Sequence, residues 1–554
     1  MKITKSMFAL AMAVAMILSM AMPAIADDHT NHTITINENN SGHTYVAYQI
    51  FAGAVETGNN SDPVLSNIKW GSGIDWDAER GGLNFIQALQ SINKNPDYHT
   101  LYASVATTAG DETAANIIAG AVADVLEKTP RPEHGLAFAK VANEYLTSVQ
   151  GTSTYSNGKH TITGLADGYY LVKEINTQNL VGTTATAYLM TLVDDAEVTP
   201  KIGTVSIEHK VLDAAKNRYN VADHNIADSV RFEVTSRVPD MFHLYDTFAM
   251  DFVIDLGEYF EYDSSNAVAV TITSGSNTTD LADDKFTIDA PSGDDNILTV
   301  SISNLKDLGT TVLADYYVEV EYSAKLRDTE VLGNGTAADK GNVVTAHIEY
   351  TSAPYSTEKA KTVDAKAAVF TYQLKLFKKD GKQSGNVGLA GAEFILYRGE
   401  GNSIMYLVGD IDEGSEETTV TVTGWDANKE NATSVTSPAS GYIVFKGLDA
   451  LVYHLEEIEA PEQYDAITTA MRFNISAALD DANYEVDALS VTAPGGIVED
   501  GDIATGEVAV TVVNNPGNTL PSTGGIGTTI FYAVGGILVA GAAVLLITRK
   551  RMEQ

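Results

Sequence analysis

Through most of this chain, apolar and polar residues alternate with a period of two, the spacing that makes one face of a strand apolar. Residues 44–51 read this way, and 164–173 read as a turn into a strand. The middle third repeats the pattern at 205–211, 229–235, 267–273, 298–302, 316–323 and 343–350, with Asp, Asn and Gly between the runs. The last third does so at 370–377, 392–397, 441–445, 453–458 and 508–513. Apolar residues fall at helical spacing at 112–128 and 135–149. Short strands separated by turn residues predict β-sandwiches. The expected fold class is therefore mainly β. Tandem immunoglobulin-like β-sandwich domains are expected at 27–201, 202–365 and 366–516, the first with added helices.

The two ends break the alternation. Lys2 and Lys5 precede an apolar run over 7–22, and Ala24-Ile25-Ala26 is a small-x-small cleavage site. Residues 1–26 therefore read as a signal peptide cut after Ala26. Near the other end, 526–548 is almost uncharged and long enough to span a bilayer. Arg549-Lys550-Arg551 follows at once, which keeps the tail cytoplasmic. Leu520-Pro521-Ser522-Thr523-Gly524 stands just before the span, so 517–554 forms a separate terminal signal.

Charge and composition remove several function classes. With 35 Lys and Arg against 73 Asp and Glu, the formal charge is −38, and phosphate backbones should repel the chain. No nucleic-acid partner is expected. The absence of cysteine excludes disulfides, thiolate metal sites and a cysteine nucleophile. The histidines lack metal-ligand spacing, and no His-Glu-x-x-His, Gly-x-Ser-x-Gly or phosphate loop occurs. Asp410-Ile-Asp412-Glu-Gly414 lacks the full calcium-loop pattern and reads as a solvated turn. No cofactor, no metal and no enzyme acting on an external substrate are expected.

Chemistry concentrates in the last segment. In Leu374-Lys-Leu-Phe-Lys-Lys-Asp380, alternation points Leu374, Leu376 and Lys378 to one face. Val508, Val510, Val512 and Asn514 share a face on the last strand, and Tyr453, Leu455 and Glu457 share one between them. An inward lysine is costly unless it is neutral or covalently consumed. A buried lysine, glutamic acid and asparagine in one core suggest an intramolecular isopeptide bond. Burial disfavours charge on amine and acid alike, leaving a nucleophile and a proton donor. A slip of one residue would put Lys375 or Lys379 in place of Lys378, and Asn515 in place of Asn514. The first segment shows no such set, and its Tyr170-Leu-Val-Lys-Glu174 is out of register with Tyr453–Glu457.

These motifs carry family resemblances. Tyr453-x-Leu-x-Glu457-x-x-Ala-Pro-x-x-Tyr464 resembles the E-box of Cna B-type domains. Lys378-Lys-Asp380 with Gly388-Leu-Ala-Gly-Ala-Glu-Phe394 is similar to their first strand and following turn. That resemblance implies Lys378 as amine, Asn514 as acceptor and Glu457 as catalyst. The sequence departs from the family at Ile458, usually Thr, and at Gln463, usually Gly. Leu520–Gly524 with its apolar span and basic tail resembles the LPxTG cell-wall sorting signal of Gram-positive surface proteins. This implies a sortase that cuts after Thr523, holds its carbonyl as a thioester and passes it to an amine.

The middle segment opens Ile207-Glu-His-Lys210 and continues to Tyr245-Asp246-Thr247, which resembles the middle domain of sortase-assembled pilins. The resemblance implies a second crosslink with Lys210 as amine and Asp246 as catalyst. Asn342 is the nearest candidate acceptor. At the first join, Thr199-Pro200-Lys201 resembles the Val-Tyr-Pro-Lys motif of backbone pilins, with Thr199 in place of Tyr. Pro200 holds the chain extended and should leave Lys201 exposed. The resemblance taken whole implies a backbone pilin, with Lys201 of one subunit joined to Thr523 of the next. The implied partners are a sortase, other copies of the chain, peptidoglycan, minor tip or basal pilins and host ligands. The implied location is the cell wall. A monomeric anchored adhesin is the alternative.

Overall fold

The computed structural model describes residues 31–57, 63–92, 100–129, 132–292, 295–328, 331–338, 340–494, 497–498, 501–517 and 526–552. The signal peptide with Ala26, and Leu520, Pro521, Ser522, Thr523 and Gly524, lie outside the described residues. The chain is mostly β and divides into two compact units: 1–371 with 478–487, and 372–477 with 488–554.

The first unit begins with a sandwich. Strand β1 (His32–Ile36) alternates buried and half-buried residues, as its His-Thr-Ile-Thr-Ile sequence requires. It is followed by β2 (Tyr45–Thr57), β3 (Pro63–Trp70), α1 (Phe85–Gln90), α2 (Glu112–Lys128) and α3 (Pro132–Glu144). Then come β4 (Lys159–Leu165), β5 (Gly168–Glu174), β6 (Ala187–Leu192) and β7 (Ala196–Val198). One sheet has β1 between β4 and β7, with β7 parallel to β1. The other runs β3-β2-β5-β6. Tyr45, Ala47, Tyr170, Val172, Tyr188 and Met190 fill the space between the sheets with Ile34, Ile36 and Ile162.

The outer face of the second sheet is apolar too, because Phe51, Leu171 and Leu189 meet the helices there. This explains why β5 buries consecutive residues. Helix α2 occupies 112–128 as its periodicity predicts. Ile118, Val122 and Leu126 repeat every four residues and are buried. Its start is fixed by Asp111, whose carboxylate accepts a hydrogen bond from Ala114 N at 2.8 Å.

The rest of this unit is a second pair of sheets, built from β8 (Ile207–Leu212), β9 (Ser229–Arg237), β10 (Met250–Asp255), β11 (Ile297–Ile302), β12 (Tyr317–Leu326), β13 (Asn342–Thr351) and β14 (Ala365–Phe370). Strands β8, β9 and β12 are neighbours in one sheet, and β14, β13, β10 and β11 in the other. The sequence run 370–377 is therefore two strands, since β14 stays on β13 up to Val369.

The second unit starts with β15 (Tyr372–Asp380) and continues through β16 (Glu393–Arg398), β17 (Tyr442–Leu448), β18 (Val452–Glu459) and β19 (Glu507–Asn514). Strand β15 lies between β17 and β19 and is parallel to β19. Asp410, Asp412 and Glu413 sit exposed on a hairpin closed at Gly414 N to Glu417 O, 3.0 Å. Helix α4 (Ile526–Met552) contains the span 529–552, of mean hydropathy 2.5 and long and apolar enough to cross a membrane.

Removing the α2 cap with Asp111→Ala should cost about 1 kcal/mol of stability. The check is a shift in the denaturant midpoint of the first unit with an unchanged slope.

Candidate functional site

Alternation on β15 buries Tyr372, Leu374, Leu376, Lys378 and Asp380, and leaves Lys375 and Lys379 half-buried. On β19 it buries Val508, Val510, Val512 and Asn514, with Asn515 exposed. The parallel register sets Lys378 beside Val512, so Asn514 lies one pleat further along the same face. Strand β18 buries Tyr453, Leu455 and Glu457. Three strands thus deliver an amine, a carboxamide and a carboxyl to one point. Lys378, Glu457 and Asn514 are 0%, 8% and 1% exposed.

The Lys378 amine donates to Glu457 Oε1 at 3.0 Å and to Asn514 Oδ1. Asn514 Nδ2 donates to Glu457 Oε1 at 2.9 Å, to Oε2 at 3.1 Å and to the Asp465 carbonyl at 3.2 Å. Ile467 N donates to Glu457 Oε2 at 2.7 Å. Burial pushes the Lys378 amine below the ordinary lysine range, and the hydrogen bond and charge of Glu457 oppose that push. Phe394, on β16, places its ring 5.1 Å from the amine.

The surrounding motif residues have structural roles. Tyr464 donates to Asp380 Oδ1 at 2.7 Å, which ties the end of the E-box-like stretch to β15. Asp465 N donates to Asn515 O at 3.0 Å and Gly517 N to Gln463 O at 2.9 Å, so this stretch also holds the chain just beyond β19. Gln463 has φ of 70°, a left-handed conformation that favours glycine. That is the physical sense of the glycine common at this position in the family. Gly441 has φ of 84°, and a Cβ there would overlap the Lys378 carbonyl oxygen.

The middle segment does not assemble its expected trio. On β8 the buried residue is His209, and Lys210 points to the other face, where its amine bonds Asn220. His209 Nε2 lies 2.8 Å from the Tyr322 hydroxyl, and burial pushes the imidazole down to about 3, so it stays neutral. Asn342 is buried but spends its carboxamide on backbone. It accepts from Val331 N at 2.6 Å and donates to Val331 O at 2.9 Å and Val369 O at 3.0 Å. Asp246 pairs with Lys140 at 3.1 Å. The reading of Lys210, Asp246 and Asn342 as one crosslinking set is corrected here. The parity of β8 is the reason, since it turns a histidine rather than a lysine to the core.

Lys201 is exposed between β7 and the bridge Thr183–Thr204. Glu174 is a second buried acid, and the reading of Tyr170–Glu174 as out of register with Tyr453–Glu457 is corrected here. Tyr170, Val172 and Glu174 are all buried on β5, in the same Tyr-x-aliphatic-x-Glu spacing as Tyr453, Leu455 and Glu457. The spacing was available in the sequence. The carboxyl of Glu174 pairs with His43 rather than with a lysine.

Residues 372–488 match the family described as SpaA, prealbumin-like fold domain, and 512–553 match the LPXTG cell wall anchor motif. The anchor match and the C-terminal apolar helix make this a cell-wall-anchored surface protein with a prealbumin-like domain in its second unit. Among curated proteins none matches the chain. Among solved structures it is similar to the full-length major pilin SpaD of Corynebacterium diphtheriae, with 15% identity over 89% of this chain and 100% of that one, TM-score 0.48. It is similar also to the T6 backbone pilin of serotype M6 Streptococcus pyogenes, with 14% identity, coverage of 89% and 100%, and TM-score 0.49. The corresponding values for the major pilin SpaA of C. diphtheriae are 11%, 88%, 99% and 0.45. Identity at this level carries no residue roles across.

Gln463→Gly should relieve the left-handed backbone and raise stability by up to about 1 kcal/mol. A higher denaturant midpoint for the second unit is the check. Lys210→Met should leave stability within about 0.5 kcal/mol and the intact mass altered only by the substitution itself.

Proposed function

We propose that this chain is the structural subunit of a covalent, wall-anchored surface fibre, and that Lys378 and Asn514 close an isopeptide bond within it. The observation that carries the fibre reading is the coexistence of an acyl-donor sequence, Leu520–Gly524, with an exposed amine, Lys201, anchored by backbone on both sides. A sortase would hold the Thr523 carbonyl of one copy as a thioester. The Lys201 amine of the next copy would attack it, form the amide and release the enzyme thiol.

The internal bond uses the site described above. The neutral Lys378 Nζ attacks Asn514 Cγ, the Cγ–Nδ2 bond breaks, and Nδ2 leaves as ammonia. Glu457 Oε1 lies within hydrogen-bond reach of both nitrogens, so one carboxyl can take the proton from the nucleophile and pass it to the leaving group. The acid is regenerated, and each molecule reacts once. The bond closes a loop spanning 136 residues, which on chain-entropy grounds stabilises by about 5 kcal/mol.

The first unit supplies an internal contrast. Lys173 Nζ is 2.6 Å from Asn143 Oδ1, but the Asn143 amide donates at 3.3 Å to the Tyr355 carbonyl rather than to an acid. The intact mature chain should therefore weigh one ammonia less than its sequence mass. Lys378→Ala, Asn514→Ala and Glu457→Ala should each restore that ammonia, read by intact-mass spectrometry after allowing for the substitution. Loss of two ammonia molecules, or of none, would contradict this assignment. In wall extracts boiled in detergent, a high-mass ladder that disappears in Lys201→Ala is the expected result for the fibre. A monomer band in both would mean an anchored monomer.

A further inference from the structure

The first sandwich holds a buried polar cluster that neither reaction uses. Its centre is the His43–Glu174 ion pair, with both side chains fully buried. The Tyr45, Tyr188 and Thr186 hydroxyls are buried around it. Glu38 adds a further negative charge that acts on Glu174, Tyr45 and Tyr188. Polar groups so deeply buried hold their place only when paired, so His43 and Glu174 fix each other and the chain that carries them.

That chain leads to Lys201. His43 Nε2 lies 3.4 Å from the Thr183 hydroxyl, and Thr183 forms an antiparallel bridge with Thr204. Next to it, Thr184 N donates to Gly203 O at 2.9 Å, and Gly203 N donates to the Thr184 hydroxyl at 3.0 Å. Val205 N donates to Gly182 O at 3.0 Å. The Tyr188 hydroxyl, beside Glu174, faces the Lys201 peptide N–H. Upstream, β7 is held on β1, and Asn37 N donates to Val198 O at 2.8 Å. Lys201 is thus suspended between two backbone clamps, and the downstream clamp stands on the ion pair. Among the described residues its amine has no hydrogen-bond or ion-pair partner, so the backbone alone decides where it points.

The first sandwich and the second unit are built alike around their glutamates. In each, a tyrosine two pleats before the glutamate donates its hydroxyl to a carbonyl four residues upstream. These bonds are Tyr170 to Ala166 at 2.8 Å and Tyr453 to Asp449 at 3.1 Å. In each, the last strand runs parallel to the first. Glu457 meets the end of its last strand at Asn514. The chain just beyond the last strand of the first sandwich is Thr199-Pro200-Lys201.

We propose that the buried His43–Glu174 pair is a positioning device for Lys201, holding loop 181–186 so that the linkage amine is presented in one orientation for acyl transfer. This rests on the reading of Lys201 as the linkage nucleophile. Acyl transfer is steeply sensitive to misplacement of the attacking atom. The pair therefore acts through the backbone, without touching the reacting atoms.

The test compares the wild-type full-length chain with His43→Gln and Glu174→Gln. Hydrogen exchange of 199–205 is read by mass spectrometry on purified protein without sortase, and the covalent ladder is read in cells. Exchange at 199–205 should rise about tenfold while the second unit is unchanged, because one buried charge-assisted contact has been removed. The ladder should fall several-fold more than the folded fraction, with Lys201 still the joined residue. If either variant fails to fold, Thr183→Val removes only the hydroxyl that faces His43, and the same two readouts apply. Unchanged exchange at 199–205 in a folded variant overturns the proposal. So does an undiminished ladder, or one reduced only in step with the folded fraction. A wild-type ladder that survives Lys201→Ala overturns the linkage reading instead, while the exchange result still reports on the clamp.

Discussion

An amine enclosed by an apolar core must be neutralised, paired or covalently consumed, and the second unit is organised around that requirement. Lys378 has no exposed surface, and the groups that meet it are a carboxyl, a carboxamide and the face of Phe394. Removing water from the site strengthens each of these contacts and lowers the proton affinity of the nitrogen. The same burial that would penalise a charged lysine thus prepares it as a nucleophile. Everything nearby serves the register that sets Asn514 one pleat beyond Lys378 on the same face. Tyr464 grips Asp380, and the 463–465 stretch pairs with the chain beyond β19.

The acid is as constrained as the amine. Both oxygens of Glu457 are committed, one to the two nitrogens that would exchange a proton and the other to Ile467 N and Asn514. A carboxyl in this position needs no motion to serve both ends of the reaction. In the first sandwich the corresponding acid meets a histidine, and the energetic problem of burying it is met by that contact. One strand pattern therefore has two outcomes within a single chain, set by the residue that faces it.

Much of this was legible in the residue pattern. Period-two alternation identified the faces of β15, β18 and β19, because each strand has one wholly buried face and unambiguous apolar neighbours. Helix α2 was legible from its apolar residues at helical spacing. The middle segment was not. In Ile207-Glu-His-Lys-Val-Leu, Val211 and Leu212 are both buried, so the strand offers no clean parity and a histidine occupies the inward position. Glu174 was passed over although its spacing matches Glu457. Consecutive burial of Tyr170, Leu171 and Val172, caused by helices on the second face of the sheet, hides the alternation there. The left-handed backbone at Gln463 could not be read from a glutamine at all.

One feature of the second unit bears on how this chain would endure proteases outside the cell. Strand β15 carries Lys378 near its end, and Asn514 ends β19, so β16, β17 and β18 all lie between these two residues in sequence. A covalent tie between them turns the intervening chain into a closed ring with a tail on either side. Cutting such a ring once opens it without severing anything, because the tails remain connected through the tie. A nick in any exposed hairpin between residues 379 and 513 would leave the two tails joined, two such nicks would free only the peptide between them, and the tails would part only if the tie were broken as well.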